Sequence, residues 1–225
     1  MNLKNLHELI NKYESKMELL YGPDHDELFK WSALKCWQEQ WYKPADSLSS
    51  FAERFSAEKK EFSIFIDNSR MHPSTGILKL YDKEPESVEA LFQNILFRDD
   101  GGDISQRQYN MERFLEEHEK LRQKYYPGNW SYKQDRHSAS VFIAMNSPAE
   151  NYVYKSSEAL MMAKYVDYGL SIGTGATFSL ENYYGLCDEI VKALHEHDSL
   201  IYSPLNGAAV RSLCTAALYD SASYH

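Results

Sequence analysis

No run of about 18 apolar residues, the length a membrane-spanning helix requires, occurs in the 225-residue chain. The features of a signal peptide are missing too. The opening MNLKNLHELINKYESK reads as an amphipathic helix, with neither a continuous apolar stretch nor a small-residue cleavage site. Together these absences lead to the expectation of a cytoplasmic protein with no membrane partner. Cysteine is scarce: Cys36, Cys187 and Cys214 are odd in number and far apart, so neither a disulfide framework nor a CxxC metal site can be read from them. All three are expected as buried, reduced thiols. A phosphate-cradling loop is also lacking. "GLSIGTGAT" has three glycines but no Gly-Lys-Ser/Thr and does not follow GxGxxG, and there is no Walker A segment, so no cofactor is expected. Finally, there is no overall excess of positive charge. A net charge of −9 excludes a protein that coats nucleic acid nonspecifically.

What is present is ample apolar and aromatic content for a core, in a chain long enough to bury one. The expected fold is mainly α, within the α+β class: a single multi-helix domain over residues 1–225 with a minor short-stranded β element. A subdivision into 1–104 and 105–225 is left open.

The helices follow from periodicity. Leu3, Leu6, Ile10, Tyr13, Met17 and Leu20 recur at steps of three and four, Gly22-Pro23 stops that pattern, and Asp24 can cap the next helix. Trp31, Leu34, Trp37 and Trp41 fall on one helical face and are expected in the core. Leu48, Phe51, Ala52 and Phe55 mark a third helix. "FSIFI" and "ILKLY", on either side of a His-Pro-Ser-Thr-Gly turn, instead read as two short strands. Pro85 opens a helix through Ile95, and a long helix spans about 105–125 before Pro127-Gly128. Asp135 caps a segment bearing Ala139, Phe142 and Met145, for which helix is favoured although its residues also suit a strand. "YVYK" reads as a strand, Ser156 or Ser157 as the cap of a helix to Tyr165, Ser179 as the start of another, and residues from Ala208 onward as the last.

Several sets of reactive residues fail on geometry. In "HEHD" the two histidines, two apart on a helix, point about 200° away from each other, so no metal is expected there. "PDHDELFK" is explained by capping and solvation of an amphipathic helix. "DRHSAS" sets Asp135, His137 and Ser138 side by side, whereas a triad needs convergence in space rather than adjacency in sequence. With no nucleophile, base and orienting group in company, catalysis is not expected.

The one basic stretch is 107–136, where seven Lys or Arg face five Asp or Glu. An anionic partner would be met there, although a solvated helix face of mixed charge accounts for the same count. Nearby, "YVYK" places Tyr152 and Tyr154 on one face of an extended segment, with Val153 and Lys155 on the other. Two readings are open. Either the tyrosines pack inward with their hydroxyls satisfied at an edge, or they stack on bases while Lys133, Arg136 and Lys155 neutralise phosphates.

The phrases "NWSYKQDRHSASVFIAMNSPAENYVYKSSEALMMAK", "EPESVEALFQNILF" and "LENYYGLCDEIVKAL" resemble the N-terminal region that precedes the motor domain in bacterial McrB-like AAA+ restriction proteins. The resemblance covers most of the chain, loosely over the first 45 residues. It implies a non-catalytic target-recognition domain of a restriction or anti-phage defence system. Such a domain binds DNA, in some relatives a modified base, on behalf of an AAA+ motor located downstream or in trans. The alternative is a scaffold domain that binds a protein partner and no nucleic acid.

Overall fold

The computed structural model describes residues 1–15, 29–41 and 51–196, and these are mainly helical with no β-strand among them. The expected burial of Trp31 and Trp41, the state of Cys214, the cap at Asp24 and the helix from Ala208 all fall outside what is described. Contacts divide the chain into two units, Ser32–Asn146 and a discontinuous one formed by Met1–Trp31 with Ser147–His225.

Helices α1 (Leu3–Ser15), α2 (Phe29–Trp41) and α3 (Phe51–Ile66) come first. They are followed by α4 (Pro73–Tyr81), α5 (Pro85–Ala90) and a π-helical turn, Leu91–Leu96. Next are α6 (Ile104–Tyr125), a 3-10 turn at Trp130–Tyr132, and α7 (Arg136–Asn146). Helix α8 (Ser156–Tyr165), a second 3-10 turn at Gly175–Thr177, and α9 (Leu180–Leu194) complete the described chain.

The unit Ser32–Asn146 is built on an aromatic cluster. Trp37, Phe55, Phe62, Phe92 and Phe142 are all fully buried. Their rings meet edge-on or tilted, with centroids 4.8 Å apart for Phe55–Phe62, 5.2 Å for Phe92–Phe142 and 5.6 Å for Trp37–Phe62, as the aromatic quadrupole favours. Helix α7 is buried from Ser138 to Met145, so it has no polar face, as expected of a central helix. Its two serines satisfy themselves locally, Ser138 Oγ donating to the Asp135 carbonyl at 3.0 Å and Ser140 Oγ to the His137 carbonyl at 2.8 Å. Asp135 caps the helix by accepting from the Ser138 amide at 2.8 Å, as its position in the sequence predicts.

The β element expected over 62–81 is not seen. Residues 62–66 are the last turns of α3, where Phe51, Phe55, Phe62 and Ile66 are buried at helical intervals. A five-residue window matches a strand period, and the longer one matches a helix. Residues 73–81 form α4, with Pro73 at its first turn. Gly76, part of the expected turn, lies inside this helix. A Cβ there would stand 2.7 Å from the Tyr132 carbonyl oxygen, so the glycine lets α4 meet the 3-10 turn backbone to backbone.

In the discontinuous unit α1 packs against α9 and buries Leu6, Leu9 and Ile10. Its start is tied to the end of α8: the Asn2 amide donates to the Val166 carbonyl at 2.5 Å and Asn5 Nδ2 to the Tyr165 carbonyl at 2.7 Å. Ser179 caps α9 through the Asn182 amide. Lys155, and neither Ser156 nor Ser157, occupies the cap position of α8, where no side chain closes the first turn. Of the cysteines, Cys187 is buried as expected but Cys36 is only half-buried.

Candidate functional site

The residues singled out in the sequence divide between the two units. Tyr152, Tyr154 and Lys155 lie in the discontinuous unit, Lys133 and Arg136 in Ser32–Asn146.

Residues 151–154 run between α7 and α8 without regular secondary structure, and no strand lies beside them. The strand expected at 152–155 is therefore absent, and the reason is chemical. Two backbone groups that would bond a neighbouring strand, the Val153 carbonyl and the Tyr152 amide, are met by hydroxyls from α9. Tyr183 donates to the Val153 carbonyl at 2.5 Å, while Tyr184 donates to Asn151 Oδ1 at 2.9 Å and accepts the Tyr152 amide at 3.4 Å. Asn151 in turn donates to the Ser147 carbonyl at 2.8 Å. These bonds hold an extended segment in place of a ladder.

Tyr152 and Tyr154 are 3% and 4% exposed. Tyr152 meets Tyr184 edge-on at 5.1 Å and donates its hydroxyl to Asp188 Oδ1 at 2.6 Å; Tyr154 packs 4.5 Å from Phe178 and 5.0 Å from Tyr183. Both rings are covered on the faces a base would use. Lys155 is exposed and pairs with Glu158 at 2.6 Å. Burial works to raise the Glu158 carboxyl, but the Lys155 ammonium and the Ser157 hydroxyl outweigh it and hold the group below the usual carboxylate range. Beneath this pair is a crevice of about 20 Å³ lined by Val153, Ala159, Met162, Tyr183, Leu186 and Cys187, enough for about one water and far too small for a base.

The hydroxyl bonds make a direct prediction. Tyr183→Phe keeps the ring but strips the donor from a buried carbonyl, so the midpoint of urea unfolding should fall by the equivalent of about 1–2 kcal/mol. Tyr165→Phe, on the exposed side of α8, should change it by less than about 0.5 kcal/mol. Equal effects from the two would remove the stapling role from Tyr183.

The second candidate region is the segment between α6 and α7. Arg136 Nε donates to Glu112 Oε1 at 2.5 Å, and Lys133 Nζ lies 3.6 Å from Glu119 Oε1. The organising residue here is one the sequence reading passed over. Arg122, 1% exposed, grips Glu119 with two parallel bonds of 2.7 Å. Its remaining Nη donates to the carbonyls of Tyr126 at 2.9 Å and Asn129 at 2.7 Å. Arg122 thereby holds the Glu119 carboxyl down at about 2, against the opposing effect of partial burial. The only available signal was a Glu-x-x-Arg pair in the last turn of a helix, which usually denotes a surface ion pair. Trp130 was passed over as well. It is 55% exposed, and its signal was a tryptophan outside every apolar stripe, just after Pro127-Gly128.

Asp135, His137 and Ser138 do not converge. Asp135 and Ser138 are spent on the cap of α7, and His137 Nε2 lies 2.7 Å from the Phe65 carbonyl. Among the described residues no group of three or more His, Cys, Asp or Glu could hold a metal ion.

No family model matches the chain, and no curated protein and no solved structure matches it.

Proposed function

We propose that this chain is a non-catalytic target-recognition domain of a restriction or anti-phage defence system, which binds DNA for an AAA+ motor downstream or in trans. The observation that supports it concerns the phrases resembling McrB-like proteins, because they build the packed joints of both units. From "YKQD", Gln134 Nε2 donates to the Pro73 carbonyl at 2.9 Å and Asp135 caps α7. From "LENYYGLCDEI", Tyr183 and Asp188 bond the "YVYK" segment. From "EPESVEALFQNILF", Phe92 enters the centre of the aromatic cluster. The likeness is thus carried by residues that determine a fold, which is where kinship is expected when chemistry is not shared.

For a nucleic-acid target, Lys133 and Arg136 are the cations to watch. Each would exchange a carboxylate, Glu119 or Glu112, for a phosphate. The test is anisotropy of short labelled DNAs, duplex and single-stranded, with and without a modified cytosine, titrated at several salt concentrations. Binding should weaken with salt at a log–log slope of about −0.9 per phosphate contacted on duplex and about −0.7 on single strands. Affinity that ignored salt, or no affinity for any DNA at low salt, would overturn the DNA reading.

One observation favours the second reading, a protein-binding scaffold. Leu160, Met161 and Tyr165 are exposed on the outer face of α8, and Leu3 and Leu170 of the same unit are exposed as well. Such surfaces are common where proteins meet.

A further inference from the structure

We propose that the turn at 127–132 presents Trp130 as a stacking platform for an unpaired base of single-stranded nucleic acid, with Lys133 beside it as a phosphate contact. This rests on the nucleic-acid reading above and names the partner and the contact residues.

The turn is braced from several sides. Arg122 bonds the Asn129 carbonyl inside it and the Tyr126 carbonyl just before it, and Asn129 Oδ1 accepts the Ser131 amide at 3.1 Å and the Ser131 hydroxyl at 2.5 Å. The His72 amide donates to the Ser131 carbonyl at 2.7 Å, and the rings of Tyr126 and Tyr132 meet edge-on at 5.5 Å. Gly76 brings α4 against Tyr132. The backbone that carries the exposed indole is thus fixed, and a base that settles there has no loop to order.

The charge around it suits an anion. Glu119 is already gripped by both prongs of Arg122, and Lys133 shares that single carboxylate from 3.6 Å. Two cations to one anion leave this group with a net positive charge. Lys79 is exposed on α4, which is tied to the residue just before the turn by the Tyr126 hydroxyl donating to the Lys79 carbonyl at 3.2 Å.

The setting also separates a base from a protein partner. A tryptophan at the centre of a protein interface is desolvated within a cluster of other contact residues that exclude water. The other exposed large apolar side chains among the described residues are Leu3, Tyr109, Leu160, Met161, Tyr165 and Leu170, and none belongs to residues 126–136. An exposed indole on a segment that also carries the exposed Lys133 offers the two ingredients, an aromatic face and a cation, used for sequence-tolerant stacking on single strands.

The test uses the full chain and a short fluorescein-labelled oligothymidylate read by anisotropy. Trp130→Ala should weaken binding about 5- to 150-fold, the range for loss of one stacked base. Its melting temperature and salt slope should stay those of the wild type, and Trp130→Phe should keep most of the affinity. Lys133→Ala should reduce the salt slope by about 0.7, the value of one phosphate on a single strand. If the wild type binds DNA with a steep salt dependence and Trp130→Ala binds equally well, this inference falls while the DNA reading stands. If the wild type binds no DNA at all, both fall.

Discussion

Replacing Arg122 with methionine is expected to lower the free energy of unfolding by about 3 kcal/mol at neutral pH, within the range seen when one partner of a buried ion pair is removed. Methionine keeps most of the buried stem, so the loss reports the guanidinium. That group makes four hydrogen bonds, two to Glu119 and one each to the carbonyls of Tyr126 and Asn129. Glu119 is partly exposed and can rehydrate, whereas the carbonyls lose the donor that joins the end of α6 to the following turn. Arg122→Lys keeps the charge but not the planar fork that reaches carboxylate and carbonyls together, so an intermediate loss is expected. Urea unfolding measures both, and a loss under about 1 kcal/mol for the methionine variant would show that the turn is held by its other bonds.

The second large effect depends on pH and belongs to His118. This imidazole is completely buried on α6 beside Phe114, and among the described residues neither ring nitrogen has a hydrogen-bond partner. Burial pushes its pKa down to about 3; Glu119 works weakly against that and Arg122 with it. Because the folded value lies below the unfolded one of about 6.5, the unfolded chain binds one more proton at pH values between the two. Stability is therefore full above about pH 6.5 and declines as pH falls, by about 2 kcal/mol at pH 5 and about 4 kcal/mol at pH 3 from this residue alone. His118→Leu removes both the titration and the unsatisfied nitrogens. It should be more stable than the wild type by about 1 kcal/mol at pH 7 and about 3 kcal/mol at pH 5. Urea midpoints at the two pH values decide it, and wild type and variant declining in parallel would take the acid sensitivity away from His118. The comparison belongs at pH 5, since Glu119, also with a depressed pKa, loses its own contribution at lower pH.

The helices were legible in the sequence wherever the apolar period ran long enough. The stripe of α1 located the helix and the burial of Leu6 and Ile10, although Leu3 of the same stripe is exposed, and Pro85, Asp135 and Ser179 marked helix starts that the structure shows. Misreadings came where local chemistry serves a distant contact. The Phe62–Ile66 pattern alternates locally, but its side chains complete the stripe of α3. Gly76 resembled a turn residue because its true reason, the approach of Tyr132, lies far along the chain. The tyrosines of "YVYK" left two outcomes open, and the inward one depends on ring contacts with Phe178, Tyr183 and Tyr184 from far along the chain. The candidate surface was legible in its cations, Lys133 and Arg136, and not in Trp130 or Arg122. Exposure of one and burial of the other follow from tertiary placement, which no period records.

The discontinuous unit has a consequence for the order of events during synthesis. Helix α1 leaves the ribosome before α8 and α9, yet it is α9 that packs against its buried Leu6, Leu9 and Ile10, and the carbonyls that fix Asn2 and Asn5 belong to the end of α8. Every residue of Ser32–Asn146 is translated in between. That unit can complete its aromatic cluster while α1 still waits, and closing the first unit then joins chain segments separated by the whole of the second. Long-range closure of this kind is slow. Over that interval Leu6, Leu9 and Ile10 lack the cover that α9 gives them, and apolar surface exposed in this way during folding is prone to aggregate.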